Sequence, residues 1–113
     1  MPDVRITRPT ALVLVALSRG LRHGFDVLDA TGLPSGTVYP ILRRLEGAGL
    51  VKSRWEPVQA ARDEGRPPRR YYQLTGAGAD AVREAMARHP DARAALDPAP
   101  EPALGRGLAP RPT

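Results

Sequence analysis

The sequence predicts a winged helix-turn-helix, a mainly helical domain with one small β-hairpin (α+β). Three observations support this fold class. Two short helical patterns are separated by a glycine-containing turn, and the second carries basic residues on its free side. After Gly49 the apolar period changes from helical to alternating, and a basic loop then separates two candidate strands. The predicted organisation is an N-terminal arm at 1–8, the domain at 9–89 and a tail at 90–113.

Composition limits the classes of function. A length of 113 residues suits one domain, and 17 basic against 12 acidic side chains give a formal charge of +5, which favours nucleic acid as partner. Cysteine is absent, and His23 and His89 are the only histidines, so we predict no disulfide, metal or cofactor. No apolar run approaches a membrane span and the start lacks a secretory signal, so we expect no membrane partner and a cytoplasmic location.

The first predicted helix spans 9–18. Thr7 is a candidate N-cap, and Pro9 falls in the first turn, where its missing N–H costs nothing. The stretch from Ala11 to Ser18 is nearly all apolar, which favours a buried helix, although the valines also suit a strand. A helix that is apolar all round needs cover on several sides, so it could also contact a second subunit.

A second short helix begins at Phe25. Phe25 and Leu28 are expected to face the core, while Asp26 and Asp29 face solvent. His23 is expected to bond the backbone at the start of this helix, rather than to serve as a metal ligand or a pH switch.

The third helix, at 35–48, has an apolar back and a basic front. Its apolar residues recur at i, i+3, i+4 and i+7, namely Val38, Ile41, Leu42 and Leu45. Pro40 would remove a hydrogen bond beyond the first turn, so we expect the regular helix to begin nearer Thr37, with Ser35 in a tight turn. Gly49 is expected to be the left-handed residue that ends the helix.

A hairpin follows the third helix. The strands are predicted at 50–56 and 69–74, and the intervening loop at 57–68 is the wing, whose arginines can reach phosphate or a minor groove. Trp55 is expected in the core under the wing, with effector stacking as the less favoured alternative. Of Tyr71 and Tyr72, one should be buried and the other exposed, because neighbours alternate along a strand.

Thr75 is a candidate cap for an alanine-rich helix at 75–89, which ends at His89 before a proline. One or two further turns can form at 91–96. The remaining chain is rich in proline, glycine and alanine and is predicted to be disordered.

Four stretches of the chain resemble the PadR family of bacterial winged-helix transcriptional regulators. They cover the start of the second helix, the third helix, the following strand and the close of the wing: Leu21–Asp26, Ser35–Glu46, Gly49–Val51 with Trp55, and Pro67–Thr75. The resemblance implies a DNA-binding repressor that acts as a homodimer on a palindromic operator, with dimer contacts through 9–18 and 75–89. It identifies no small-molecule effector.

The resemblance also implies which residues contact DNA. Those near the major groove or its phosphates would be Ser35, Thr37, Tyr39, Arg43 and Arg44. Those of the wing, on the backbone or in the minor groove, would be Arg62, Arg66 and Arg69. Arginine can pair bidentately with guanine, and hydroxyls at a helix start suit phosphate. Whether Tyr39 touches DNA or only braces its helix stays open.

Two other functions remain to be weighed. The same apolar back and basic front could serve a protein-interaction module in a larger complex, without sequence-specific DNA binding. An enzyme is not predicted, because no paired carboxylates, nucleophile with its base, or phosphate-binding loop stands out. The salt dependence of DNA affinity distinguishes the DNA-binding regulator from the protein-interaction module, because phosphate binding weakens steeply as salt rises.

Overall fold

A computed structural model describes residues 4–96. Its elements in chain order are α1 (Arg8–Ser18), α2 (Gly24–Thr31), α3 (Ser35–Gly47), β1 (Val51–Trp55), α4 (Val58–Asp63), β2 (Arg70–Leu74), α5 (Gly76–Arg88) and α6 (Pro90–Leu96). The strands pair antiparallel, with Val51 opposite Leu74 and Trp55 opposite Arg70. The outer edge of β2 bonds the chain before α2, where the Tyr72 N–H donates to the Arg22 carbonyl at 2.7 Å. The predicted winged helix-turn-helix is therefore confirmed.

Helix α1 is the centre of the core. Every residue from Thr10 to Leu17 is buried, and α5, α6, α2 and α3 pack around it. The predicted Thr7 cap is confirmed, since its hydroxyl accepts from the Thr10 N–H. The chain's own helices cover the apolar sides of α1 in this conformation, and the predicted contact between α1 and a second subunit is not tested by a single chain.

Helix α3 begins earlier than predicted, at Ser35, with Pro34 as its N-cap. The later start near Thr37 is wrong because Pro40 removes only one bond, whose acceptor would be the carbonyl of Gly36. Gly36 is exposed, so water can reach that carbonyl instead. The end of the helix is as predicted: Gly49 has a φ of +77°, its N–H bonds the Glu46 carbonyl, and the Leu50 N–H bonds the Leu45 carbonyl.

The wing contains a helix that the sequence did not predict. Residues 57–68 were expected to be loop, but Val58–Asp63 form the six-residue helix α4. Ala61 is fully buried, and its carbonyl accepts from the Arg66 N–H at 3.1 Å. Burial of the small Ala61 side chain holds α4 at the base of the wing. The local sequence pattern does not show this burial.

The C-terminal part of the domain is tied to the N-terminal arm. Thr75 caps α5 as predicted, accepting from the Gly78 N–H. Residues 90–96, part of the predicted tail, form α6, within the stretch where further helical turns were thought possible. Ring nitrogen Nε2 of His89 lies 2.9 Å from the Ile6 carbonyl oxygen, and Arg8 pairs with Asp91 at 2.6 Å. The disorder predicted for 97–113 lies outside the described residues.

Several side chains differ from their expected places. Phe25 is 69% exposed and Trp55 is 61% exposed, although both were assigned to the core. Each lies at the end of its element, where the neighbouring layer no longer covers the inward face. His23 makes no side-chain cap, and its Nε2 lies 3.1 Å from Asp26 Oδ2. Tyr72 is buried as expected for one of the two tyrosines, but Tyr71 is half-buried instead of exposed.

Candidate nucleic-acid interface

The free surface of α3 follows from its buried stripe. Val38, Ile41, Leu42 and Leu45 are buried, and the opposite side presents Gly36, Arg43 and Gly47, all exposed. The glycines and the proline of this surface extend little beyond the backbone, so the Arg43 guanidinium projects furthest from it. Arg43 has no hydrogen bond or ion pair within residues 4–96. An unpaired guanidinium on an exposed helix face is suited to base edges or phosphates.

The two edges of α3 face different parts of the molecule. On one edge, Glu46 accepts from the Ser53 hydroxyl at 2.6 Å and lies 3.7 Å from Arg70, so this edge joins the hairpin. On the other edge, Thr37 and Arg44 are seven residues apart, two helical turns, and point away from the wing. The wing therefore stands beside α3 on one side only.

Tyr39 braces α2 against α3. A methyl group at Gly24 would overlap the Tyr39 phenol, so the ring lies directly on the α2 backbone. Tyr39 is only half-buried, and its free side lines a groove next to the wing. Tyr39 therefore packs α2 against α3, and one edge of its ring stays exposed.

That groove, which we call the wing groove, has a volume of about 610 Å³. The start of α2 forms one wall, Tyr39 the floor, and the wing the other wall. Two exposed aromatics, Phe25 and Trp55, stand at its rim, and the Arg70 guanidinium lies 5.2 Å from the centre of the Trp55 ring. Its cationic residues are Arg66, Arg69 and Arg70.

An ion pair at the base of the wing holds one of these cations. Glu56 is buried, and its carboxylate accepts from Arg66 Nη1 and Nη2 at 2.6 and 2.8 Å. It also accepts from the Arg69 N–H at 3.1 Å. The Arg66 hydrogen bonds, with a smaller contribution from Arg69, lower the pKa of Glu56 to about 2. Glu56 in turn raises the pKa of Arg66. Arg66 also bonds Glu64 at 3.1 Å, so it adds no net positive charge to the surface.

The other two predicted wing cations are in different situations. Arg62 is exposed on α4 and has no hydrogen bond or ion pair among the described residues. Arg69 is half-buried, and its Nη1 lies 3.4 Å from His23 Nε2. Of the three, Arg62 is the wing cation with a free guanidinium at the surface.

The structure also shows candidate interface residues that the sequence analysis missed. Phe25, Trp55 and Arg70 line the wing groove, and Arg5 lies in the arm beside Arg44. The position of Trp55 next to the predicted wing could have indicated its exposure, because an aromatic side chain at the end of a strand has less sheet to cover it. The place of Arg5 had no sequence signal, because its neighbour is distant in the chain.

The described chain shows neither a membrane span nor a metal cluster. No helix in residues 4–96 is both long and apolar enough to cross a membrane. The same residues contain no group of three or more histidines and acidic side chains arranged to hold a metal ion.

Residues 13–84 match the Transcriptional regulator PadR-like family. No curated protein matches the chain. Among solved structures, a PadR family transcription regulator from Clostridium difficile R20291 superposes with a TM-score of 0.63 at 23% identity, covering 75% of this chain and 90% of that one. A PadR-like transcription factor from Bacteroides fragilis gives 0.58 at 27% identity, covering 73% and 80%. Lactococcus lactis ZitR, solved as a cysteine-to-serine mutant, gives 0.61 at 18% identity, covering 83% and 60%.

Proposed function

Because the chain belongs to the PadR-like family of transcriptional regulators, and is thus a DNA-binding regulator and not an enzyme, we propose that it is a repressor. It reads a palindromic operator as a homodimer, with α3 of each copy in a major groove. DNA of this kind lies in the cytoplasm of a bacterium, and the protein acts there.

The unpaired guanidinium of Arg43 at the centre of the free α3 surface carries this proposal. An α-helix fits the major groove, and arginine pairs bidentately with O6 and N7 of guanine. With no acidic partner among the described residues, Arg43 does not have to break a bond within the protein before it binds a base.

Phosphate contacts surround this base contact in the proposal. Ser35 is exposed at the first turn of α3, and the half-buried Thr37 follows on the edge away from the wing. Arg62 supplies a free cation from the wing, while Arg69 lies in the wing groove. Arg66 acts indirectly, by fixing the wing through Glu56, and makes no DNA contact of its own.

The homodimer in this proposal uses the outer surfaces of α5 and α6. Helix α1 is unavailable because it is buried within one chain. The outer face of α5 carries small residues and the charged pairs Asp80–Arg83 and Glu84–Arg88. Such a face suits a weak contact that forms when two copies lie side by side on DNA.

The decisive measurement is fluorescence anisotropy with the DNA upstream of the protein's own gene and with a scrambled duplex of the same composition. We expect the unaltered chain to prefer the upstream duplex and to lose affinity as salt rises. Arg43→Ala should weaken binding to the upstream duplex by about 5- to 150-fold, the value of one bidentate base contact. Arg43→Lys should recover little of that loss, because an ammonium lacks the planar fork.

The matched control is Lys52→Ala, which removes one positive charge from an exposed position of β1 outside both the α3 surface and the proposed dimer surface. It should leave the preference for the upstream duplex unchanged. If Arg43→Ala keeps the same preference for the upstream duplex as Lys52→Ala, the assignment of α3 as the recognition helix is wrong.

A second candidate function is a protein-interaction module, and the exposed Phe25 and Trp55 favour it. Aromatic side chains that are more than 60% exposed at the rim of one groove are typical anchors of protein interfaces. In that case the unaltered chain would bind upstream and scrambled duplexes equally weakly at near-physiological salt, and no α3 variant would change the ratio.

A further inference from the structure

A cavity of about 530 Å³ lies between the N-terminal arm and the last turns of α3. We call it the arm cavity. It is on the edge of α3 that faces away from the wing groove, and its lining comprises Val4, Arg5, Thr7, Thr10, Arg44, Gly47 and Ala48. Within residues 4–96, no acidic residue is among those that line it.

The two arginines of the arm cavity are uncompensated. Neither Arg5 nor Arg44 has a hydrogen bond or an ion pair within residues 4–96. Many other arginines of the domain are engaged, as Arg8 is with Asp91 and Arg66 is with Glu56. Two unpaired guanidinium groups on one cavity favour an anion, and their forked donors match the oxygens of phosphate.

Arg44 has no structural task at the end of α3. A basic residue in a last turn often bonds the final carbonyls of its helix. Here the carbonyls of Arg44, Leu45 and Glu46 are already bonded to the N–H groups of Ala48, Leu50 and Gly49, at 3.0 Å each. The Arg44 side chain is exposed and free to bind a ligand.

The arm is fixed in position beside Arg44. Ile6 is buried in the core, and its carbonyl lies 2.9 Å from His89 Nε2. Arg8 is held by Asp91 on α6. Arg5 therefore starts from a backbone that is anchored one residue further along, so less conformational entropy is lost when it binds.

We propose that the arm cavity binds a backbone phosphate of DNA, on the side of the major groove opposite to the wing. This inference rests on the proposed function. A helix about 10–12 Å across fills a major groove about 12 Å wide, so a phosphate backbone lies along each of its edges. The wing serves one edge, and Arg5 with Arg44 serves the other. Arg5 is thereby assigned a DNA contact as a phosphate-binding residue.

The experiment measures affinity for the upstream and scrambled duplexes between about 50 and 200 mM salt. The variants are Arg5→Gln, and Arg5→Gln combined with Arg44→Gln. The control pair Arg22→Gln with Lys52→Gln removes two positive charges from exposed positions outside the arm cavity, the wing groove and the proposed dimer surface. Circular dichroism should be unchanged in all of them, because the altered side chains are exposed.

We expect the variant with both Arg5→Gln and Arg44→Gln to reduce the slope of log K against log salt by about 0.9 for each bound copy, the contribution of one phosphate. Arg5→Gln alone should reduce the slope by less, because Arg44 still faces the same phosphate. Over the fourfold salt range the affinity per copy of the double variant should then fall about 3.5-fold less than that of the unaltered chain. Both duplexes should be affected alike, because a phosphate carries no sequence information. The Arg43→Ala variant should behave oppositely, with lost preference and a nearly unchanged slope.

The outcomes separate the two proposals. If the unaltered chain prefers its upstream duplex but both arm-cavity variants have the slope of the control pair, this inference is wrong and the proposed function stands. If the unaltered chain binds neither duplex, the proposed function is wrong and this inference with it.

Discussion

Glu56 shows how one side chain changes the role of another. Arg66 lies in the same basic wing as Arg62, yet the buried Glu56 carboxylate accepts hydrogen bonds from both of its terminal nitrogens. Arg62 lacks such a partner in the described chain and keeps its charge at the surface. The function of an arginine in a basic loop therefore depends on which carboxylate the fold brings to it.

The ion pair predicts a pH dependence of stability. The pKa of Glu56 is lowered from its ordinary value of 4.5 to about 2, so the ion pair stabilises the fold fully above about pH 4.5. That stabilisation is lost as pH falls towards 2, because the unfolded chain takes up the proton first. Glu56→Gln removes this contribution at every pH, and its Tm should be lower at pH 7.

Thermal unfolding from pH 7 to pH 2.5 checks this prediction. The difference in Tm between the unaltered chain and Glu56→Gln should shrink below pH 4.5. Asp91 also has a lowered pKa, caused by its bond from Arg8, so Asp91→Asn is the control that separates the two carboxylates. A difference in Tm that stays constant down to pH 2.5 would contradict the assignment to Glu56.

At the scale of elements, glycine places α5 against the turn that follows α3. A methyl group at Gly78 would collide with the carbonyl of Leu50, a backbone atom that cannot easily move. The same turn accepts two bonds from Thr75, one from its N–H to Leu50 and one from its hydroxyl to Gly49. Gly78 and Thr75 therefore hold the start of α5 against the turn that follows α3.

This contact predicts opposite effects for two neighbouring glycines. Gly78→Ala should destabilise the fold by about 1–3 kcal/mol, as overpacking does. Gly76→Ala should be neutral or stabilising by up to about 1 kcal/mol, because no atom lies within 4 Å of the added methyl group and the unfolded chain loses freedom. Urea unfolding of both variants measures the difference. Equal effects would show that the Leu50 contact does not limit packing.

At the scale of the whole molecule, α6 completes a core that the chain would otherwise leave open. The sequence of α1 is apolar on every side, which suggested a subunit contact. Ala92 of α6 is fully buried and α6 packs on α1, so one chain supplies the cover that two chains were expected to share. The surface left for a partner on α5 is largely charged.

We therefore expect the free protein to be a monomer at micromolar concentration and to bind a palindromic duplex as two copies. A stable dimer buries about 800 Å² per partner, much of it apolar at the centre, and the outer face of α5 does not offer this. Sedimentation velocity with and without the duplex tests the prediction. A dimer that persists at nanomolar concentration without DNA would contradict this prediction and show that the chain has a larger interface than the outer face of α5.

The correct expectations were those that depend on neighbours in sequence. The Thr7 and Thr75 caps, the buried stripe of α3 and the left-handed Gly49 each involve residues within a few positions of one another. The errors concerned residues whose environment comes from elsewhere in the chain. Trp55 is 61% exposed at the end of β1, and Ala61 of α4 is fully buried, and neither follows from the residues next to it in the chain.

The sequence by itself determined the fold class, the order of its main elements and the buried stripe of α3, because apolar period, caps and charge are local properties. The tertiary structure decided which cations are free, what covers α1, and that Arg5 and Arg44 line one cavity. Ion pairing and burial depend on distance in space. Residues 39 positions apart in the chain become neighbours only when the arm packs beside the end of α3.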